Sequence, residues 1–223
     1  MCAYRQLFMI VHYEYAGICE EGYQKELSWK EKILCVNEFA NREMMEFLRE
    51  IEKSDLKTTV CQYPDRKVEV VNIQGISCVV KSMETRGLFL NFFRMGAGVN
   101  IWNSALNARK MGVPVLKPVA VVEKRRLNVV KTFVVYLREG EVCETVEKTA
   151  HLLEKVERLR EDLRKKQITH HDFHLRNIVV LEDGSLQLID IDKLHWYPKR
   201  SYLYLKKLEV EERRFKRELA SNL

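Results

Sequence analysis

His170-His171-Asp172-Phe173-His174-Leu175-Arg176-Asn177, followed by Leu188-Ile189-Asp190-Ile191-Asp192, is the stretch on which the reading of this chain turns. Asp172 and Asn177 stand five positions apart in a polar loop, and Asp190 stands thirteen positions beyond Asn177. Between them lie the apolar run Ile178–Leu181, a turn at Asp183-Gly184, and the run Leu186–Ile191. The pattern predicts strand, turn and strand. An acid and an amide would then precede the first strand, and an acid would close the second.

The pattern before the loop is helical. Val146, Ala150, Leu153, Val156, Leu159 and Leu163 recur at helical spacing and predict one amphipathic helix from about Thr145 to Lys166. Earlier still, Thr58–Tyr63, Lys67–Ile73 and Ile76–Met83 are β-rich runs parted by Pro64-Asp65-Arg66 and Gln74-Gly75. They predict a three-stranded antiparallel meander. A helix over Asn100–Met111 follows and stops at Gly112, with Pro114 beyond it. Val115–Glu123 and Val129–Leu137 make five strands with one inserted helix. Upstream, Ser28-Trp29-Lys30-Glu31 has the form of a capping box, and Ile33, Val36, Ala40, Met44, Phe47 and Ile51 continue it as a helix over 28–53. The charged tail, about 199–219, is expected to be helical. The predicted organisation is an N-terminal extension over 1–57, a sheet-rich part over 58–140 and a short, helix-rich part over 141–223.

Composition narrows the class. The chain has 223 residues, 46% hydrophobic and 31% charged, which suits a globular protein and argues against disorder. Cys2, Cys19, Cys35, Cys61, Cys78 and Cys143 are scattered, with no Cys-x-x-Cys pair. They are expected to be reduced core thiols in a reducing compartment, so the expected location is cytoplasmic. The apolar run Leu7–Val11 is too short for a signal peptide, and nothing approaches the length of a spanning helix. The formal charge of +6 favours an anionic partner. No nucleic-acid motif accompanies it, and none is expected to bind.

Asp172, Asn177 and Asp190 are the residue types that phosphoryl transfer requires. A carboxylate such as Asp172 can accept or orient the proton of an attacking hydroxyl, and the Asp-to-Asn spacing is that of a kinase catalytic loop. Asn177 and Asp190 offer the hard oxygen atoms that Mg²⁺ prefers. Three histidines nearby, His170, His171 and His174, lack the cysteine or fourth ligand that a zinc site would need. Support of the loop by His170 through backbone hydrogen bonds is the expected role.

The segment Ile168–Ile191 resembles the catalytic and metal-binding loops of kinase-like enzymes that phosphorylate small molecules. Those commonly read His-Gly-Asp-Leu-His-Pro-x-Asn where this chain reads His-His-Asp-Phe-His-Leu-Arg-Asn. Within that group the chain resembles the bacterial lipopolysaccharide core (heptose or Kdo) kinase family. Cys78-Val79-Val80-Lys81 is similar to the third-strand lysine motif. Met111-Gly112-Val113-Pro114-Val115-Leu116-Lys117-Pro118 is similar to that family's Gly-Ile-Pro-Thr-x-x-Pro run.

The resemblance implies an α+β, reduced protein-kinase-like fold with a five-stranded antiparallel N-lobe and a small, mostly helical C-lobe. It implies ATP and Mg²⁺ as cofactors. Lys81 would contact the ATP phosphates, the backbone about Tyr136 and Leu137 would hold adenine, and Asn177 and Asp190 would bind the metal. Asp172 would be the catalytic base. The acceptor would be a hydroxyl of a lipopolysaccharide core sugar, with peripheral contact to an anionic membrane surface on the inner face of the inner membrane.

The chain departs from the kinase pattern in three places. No Gly-x-Gly-x-x-Gly loop is present, the helix about 100–111 carries no glutamate, and Asp190 is followed by Ile-Asp where protein kinases have Phe-Gly. The tail beyond Asp190 is shorter than a protein-kinase substrate lobe. Two alternatives follow: another small-molecule kinase of the aminoglycoside or choline type, and a non-catalytic pseudokinase scaffold.

Overall fold

Alternating β-branched residues and tight turns build most of the described sheet. The computed structural model describes residues 23–28, 30–86, 97–126, 129–197 and 200–222. Cys2, Cys19 and the run Leu7–Val11 lie outside them. The chain divides into two units, residues 1–103 with 117–138, and residues 104–116 with 139–223.

The first unit is a seven-stranded antiparallel sheet in the order β1-β2-β6-β7-β5-β4-β3. Its strands are β1 (Tyr23–Leu27), β2 (Glu31–Val36), β3 (Lys57–Gln62), β4 (Arg66–Ile73), β5 (Ile76–Arg86), β6 (Pro118–Arg126) and β7 (Val129–Leu137). Helix α1 spans Arg42–Glu50. Asn41 caps it, its Oδ1 accepting from the Met44 N–H at 2.8 Å. Met44, Met45, Phe47 and Leu48 of α1 are buried with Ile33, Cys35, Val80, Val122 and Val135 from the sheet in one apolar cluster. Each such side chain contributes about 2 kcal/mol relative to an exposed one.

The helix expected over 28–53 is therefore a hairpin followed by a short helix. Ser28 Oγ does accept from the Glu31 N–H at 3.0 Å, but Ser28 N also donates to Glu31 O at 2.7 Å, which closes the β1–β2 turn. Ile33, Leu34 and Cys35 are consecutive and all buried, so β2 is covered on both faces. A strand of that kind has no alternation to set it apart from a helix segment. Among the described residues the sheet accordingly has seven strands where five were expected. The meander and β7 lie where the sequence placed them.

Helix α2 (Ala97–Lys110) starts tight against the sheet. A Cβ on Gly98 would stand 2.4 Å from Val121 Cγ1 and 2.8 Å from Thr132 Cγ2. Beside it, the buried Glu123 of β6 accepts from the Val99 N–H at 3.3 Å, a carboxylate at the helix's positive end.

The second unit holds α3 (Ala150–Lys165), α4 (Tyr202–Asn222) and two small sheets. One sheet runs β11 (Leu186–Leu188), β10 (Ile178–Val180), β8 (Glu141–Val142), and the other pairs β12 (Leu194–Trp196) with β9 (Ile168–His170). Thr149 Oγ1 caps α3 by accepting from Leu152 N at 3.1 Å, so the helix begins five residues after the expected Thr145. Leu152, Val156, Leu159 and Leu163 bury its apolar stripe with Ile168, Phe173, Leu175, Ile178, Leu188 and Phe215. Gly140 is obligatory: its φ is +67°, and a Cβ there would lie 2.1 Å from the Val180 carbonyl oxygen.

Cys35, Cys78 and Cys143 are buried free thiols and Cys61 is a half-exposed one. Burial pushes Cys35 up to about 12, with the neighbouring Cys78 adding to it, and raises Cys78 and Cys143 as well. Among the described residues no helix is long and apolar enough to cross a membrane.

Candidate functional site

The loop between β9 and β10 is short because its own backbone folds back on it. Phe173 N donates to His170 O at 3.0 Å, Asn177 N donates to His174 O at 2.9 Å, and Leu175–Asn177 form one 3-10 turn. The turn brings Asn177 back to Asp172: Asn177 Nδ2 donates to Asp172 O at 2.7 Å and to Asp172 Oδ2 at 3.3 Å. Its amide nitrogen is thereby engaged by Asp172 alone, through both the backbone and the carboxylate.

The second strand joins the loop through the backbone. Ile189 N donates to Asn177 O at 3.0 Å, and β10 pairs with β11 in antiparallel register, Ile178 opposite Leu188. Asp190 follows directly, at φ 56° and ψ 45° in the left-handed region. An Asp or Asn tolerates that conformation better than most residues, and such backbone conformations concentrate at functional sites. Asp172, Asn177 and Asp190 are thus neighbours within the second unit.

His170 ties the same loop together. Its Nε2 meets Ile189 O at 3.0 Å, and its Nδ1 accepts from the Asp172 N–H at 3.3 Å. A carbonyl only accepts and a backbone amide only donates, so the ring is the neutral Nε2–H tautomer. Burial agrees with this by holding the His170 imidazole below its ordinary value. The backbone-supporting role expected of His170 is the one its bonds describe.

The C-terminal helix α4 contributes residues that the sequence reading passed over. The Glu211 carboxylate, 5% exposed, accepts from His170 N at 2.8 Å. Arg214 Nη1 donates to His171 O at 3.2 Å, and the Glu218 carboxylate accepts from Leu175 N at 3.1 and 3.3 Å. His174 then spans two carboxylates, Asp172 Oδ1 at 3.1 Å from Nε2 and Glu218 Oε2 at 3.3 Å from Nδ1. One face of α4 therefore braces the loop at three successive points. The available signal was a carboxylate, Glu211, lying between Tyr204 and Phe215 on the apolar stripe of a helix otherwise rich in exposed charge.

Two further features shape the loop. Burial pushes Glu211 up to about 7, against the opposing pull of the His170 N–H, Arg160 and Arg164. The rings of His171 and His195 stack at 3.8 Å with 12° between their planes. Burial first and His195 next push His171 down to about 4.

Lys81, Tyr136 and Leu137 belong to the first unit. In the β5–β7 ladder, Lys81 stands opposite Val134, Val79 opposite Tyr136, and Cys78 opposite Leu137. Because direction alternates along a strand, Lys81, Val79, Val134 and Tyr136 share one face. Leu137 and Cys78 share the other, where both pack in the apolar cluster with α1. Any ligand contact by Leu137 is thereby limited to its backbone. Arg138 N donates to Ser77 O at 2.9 Å and extends the ladder just past β7.

Among the described residues, no three His, Cys, Asp or Glu converge as a metal-ligand set. A zinc site at the three histidines has no such support. Magnesium asks for less from a protein, because it keeps waters and takes phosphate oxygens, so one amide and one carboxylate fit it.

No family model and no curated protein matches this chain. Among solved structures that do match, one described as "WaaP in complex with acyl carrier protein" is similar over 74% of this chain and 72% of that chain. The likeness has a TM-score of 0.48 and 15% sequence identity, a level at which it assigns neither activity nor substrate.

Proposed function

We propose that the chain is an ATP-dependent phosphotransferase that moves a γ-phosphoryl group to a hydroxyl. The observation that supports this reading is the pairing of Asp172 with Asn177 at 2.7 and 3.3 Å, together with the backbone bond that sets Asp190 beside Asn177. Asn177 Oδ1 and the Asp190 carboxylate would hold Mg²⁺, which neutralises charge on the phosphates when bound. Asp172 would orient the acceptor hydroxyl and take its proton as the bond to phosphorus forms. With Oδ1 turned to His174 and Oδ2 to Asn177, the carboxylate has a fixed orientation, which is how positioning lowers a barrier. Lys81 would contact the ATP phosphates, and the backbone about Tyr136 and Leu137 would hold adenine.

The acceptor in this reading is a sugar hydroxyl, a heptose or Kdo of a lipopolysaccharide core, on the resemblance carried by His170–Asn177 and Met111–Pro118. The enzyme would work in the cytoplasm.

A thermal-shift titration with ATP and Mg²⁺ tests the reading. A ligand that binds the native state at about 100 times its Kd stabilises it by about 2.7 kcal/mol. The shift should need Mg²⁺ and should vanish in Asp190→Asn, which keeps a residue that tolerates the left-handed backbone while removing the charge. No shift at millimolar nucleotide would refute the reading and favour a non-catalytic scaffold.

A further inference from the structure

The first turns of α4 expose what a globular surface ordinarily buries. Ser201 Oγ accepts from Tyr204 N at 3.2 Å, and Ser201 O accepts from Leu205 N at 3.1 Å, so the helix start is well formed. Tyr204 points inward, fully buried, with its hydroxyl donating to Arg164 O at 3.2 Å and its ring 5.2 Å from that of Tyr197. Locking Tyr204 in fixes the rotation of the helix and turns its neighbours out. Tyr202 is 80% exposed, Leu203 56% and Leu205 49%.

The charges nearest these residues along the chain are basic, and Glu161 shares a surface depression with Arg200. Arg200, Lys206 and Lys207 are all exposed. The first carboxylate along α4 is Glu209, which faces Arg213 at 3.7 Å, and the nearby Asp192 faces Lys193 at 3.1 Å. A tyrosine and two leucines exposed in two turns, interspersed with Lys206 and Lys207 and preceded by Arg200, mark this helix end as an interaction surface. They suit the interface of an anionic bilayer, where leucines enter the acyl boundary, tyrosine sits at headgroup depth and basic side chains meet lipid phosphates.

We propose that the N-terminal end of α4 docks the protein on an anionic lipid surface through Tyr202, Leu203 and Leu205, with Arg200, Lys206 and Lys207 supplying the attraction. The proposal gives the membrane contact of the phosphotransferase reading a specific surface. It stands apart from nucleotide binding, because no residue in it belongs to the catalytic loop.

Vesicle flotation without nucleotide tests it, using the full chain with phosphatidylcholine vesicles and with vesicles carrying one part in three phosphatidylglycerol. The wild type should float with the anionic vesicles and remain behind with the neutral ones. Replacing both lysines, Lys206→Gln with Lys207→Gln, should weaken partitioning about 30-fold, from about 1 kcal/mol per cation near an anionic surface. Leu203→Ser with Leu205→Ser should weaken it about tenfold. All four positions are exposed, and circular dichroism checks that the variants stay folded.

A wild type that stays in solution with anionic vesicles at physiological salt overturns the proposal. So does binding that neither pair of substitutions weakens. A dimer in sedimentation that Leu203→Ser with Leu205→Ser dissolves, with no vesicle binding, overturns it in favour of a second copy. Because the ATP·Mg²⁺ shift is measured separately, loss of one result leaves the other standing.

Discussion

Glu211→Gln is the substitution most directly tied to the machinery under the candidate site. The wild-type carboxylate is 5% exposed, accepts from His170 N at 2.8 Å and is pushed up to about 7 from 4.5. Desolvation is the leading cause. In the unfolded chain the proton leaves near 4.5, while the folded chain keeps it until near 7. Across that window the native state binds more protons than the unfolded state. The contribution of Glu211 to stability is therefore full below pH 4.5 and is lost as pH rises through 7.

A gap of about 2.5 between the two values, at about 1.4 kcal/mol per pH unit, corresponds to about 3 kcal/mol. Glutamine keeps an acceptor for the His170 N–H and cannot ionise. His170 and His171 work in the opposite sense. Their folded values lie below 6.5, so their contributions are present above that pH and lost below it. The wild-type profile alone is consequently a composite, and only the difference between the two proteins isolates Glu211.

Urea unfolding of both, in half-unit steps from pH 4.5 to 8 at constant ionic strength, measures that difference. Glu211→Gln should match the wild type near pH 4.5 and become the more stable protein by about 3 kcal/mol at pH 8. A difference that stays flat across this range, or grows with the opposite sign, refutes the account of a desolvated carboxylate under the loop.

Asp172→Asn should leave the magnesium-dependent ATP shift intact while lowering phosphoryl transfer by about 10² to 10⁴ in kcat, as loss of a general base does. Loss of the ATP shift itself would show that Asp172 serves nucleotide binding. Gly140→Ala should destabilise by more than about 3 kcal/mol, because its Cβ would lie 2.1 Å from the Val180 carbonyl oxygen. Gly75→Ala, with a positive φ but nothing within 4 Å, should cost only about 1 kcal/mol. Equal losses in the two variants would show that close approach is not what Gly140 provides. Among the described cysteines, alkylation under native conditions, mapped by mass spectrometry, should mark Cys61 and spare Cys35, Cys78 and Cys143 until urea unfolds the chain.

The elements legible in the sequence are those whose bonds are local. The β3–β4–β5 meander is announced by turns between β-branched runs, and α3 by a stripe that stays in phase over four turns. Asp172, Asn177 and Asp190 are legible because a 3-10 turn and a tight hairpin convert short sequence spacing into proximity. The segment over 28–53 departs from its periodicity for an equally physical reason. One bond between Ser28 and Glu31 serves a helix cap or a hairpin turn, and the doubly covered Ile33-Leu34-Cys35 carries no period of its own.

Tertiary structure alone decided the rest. Which face of the sheet Lys81 shares with Tyr136, and that Leu137 turns to the core, follow from the β5–β7 register, which no local pattern encodes. That α4 braces the His170–Asn177 loop depends on bonds from Glu211, Arg214 and Glu218 to residues 41 to 43 positions earlier. Such partners meet only after the apolar faces of α3 and α4 have packed. A sequence records propensity and period over a turn or two, whereas a polar contact across the chain exists only once the core has fixed both of its ends.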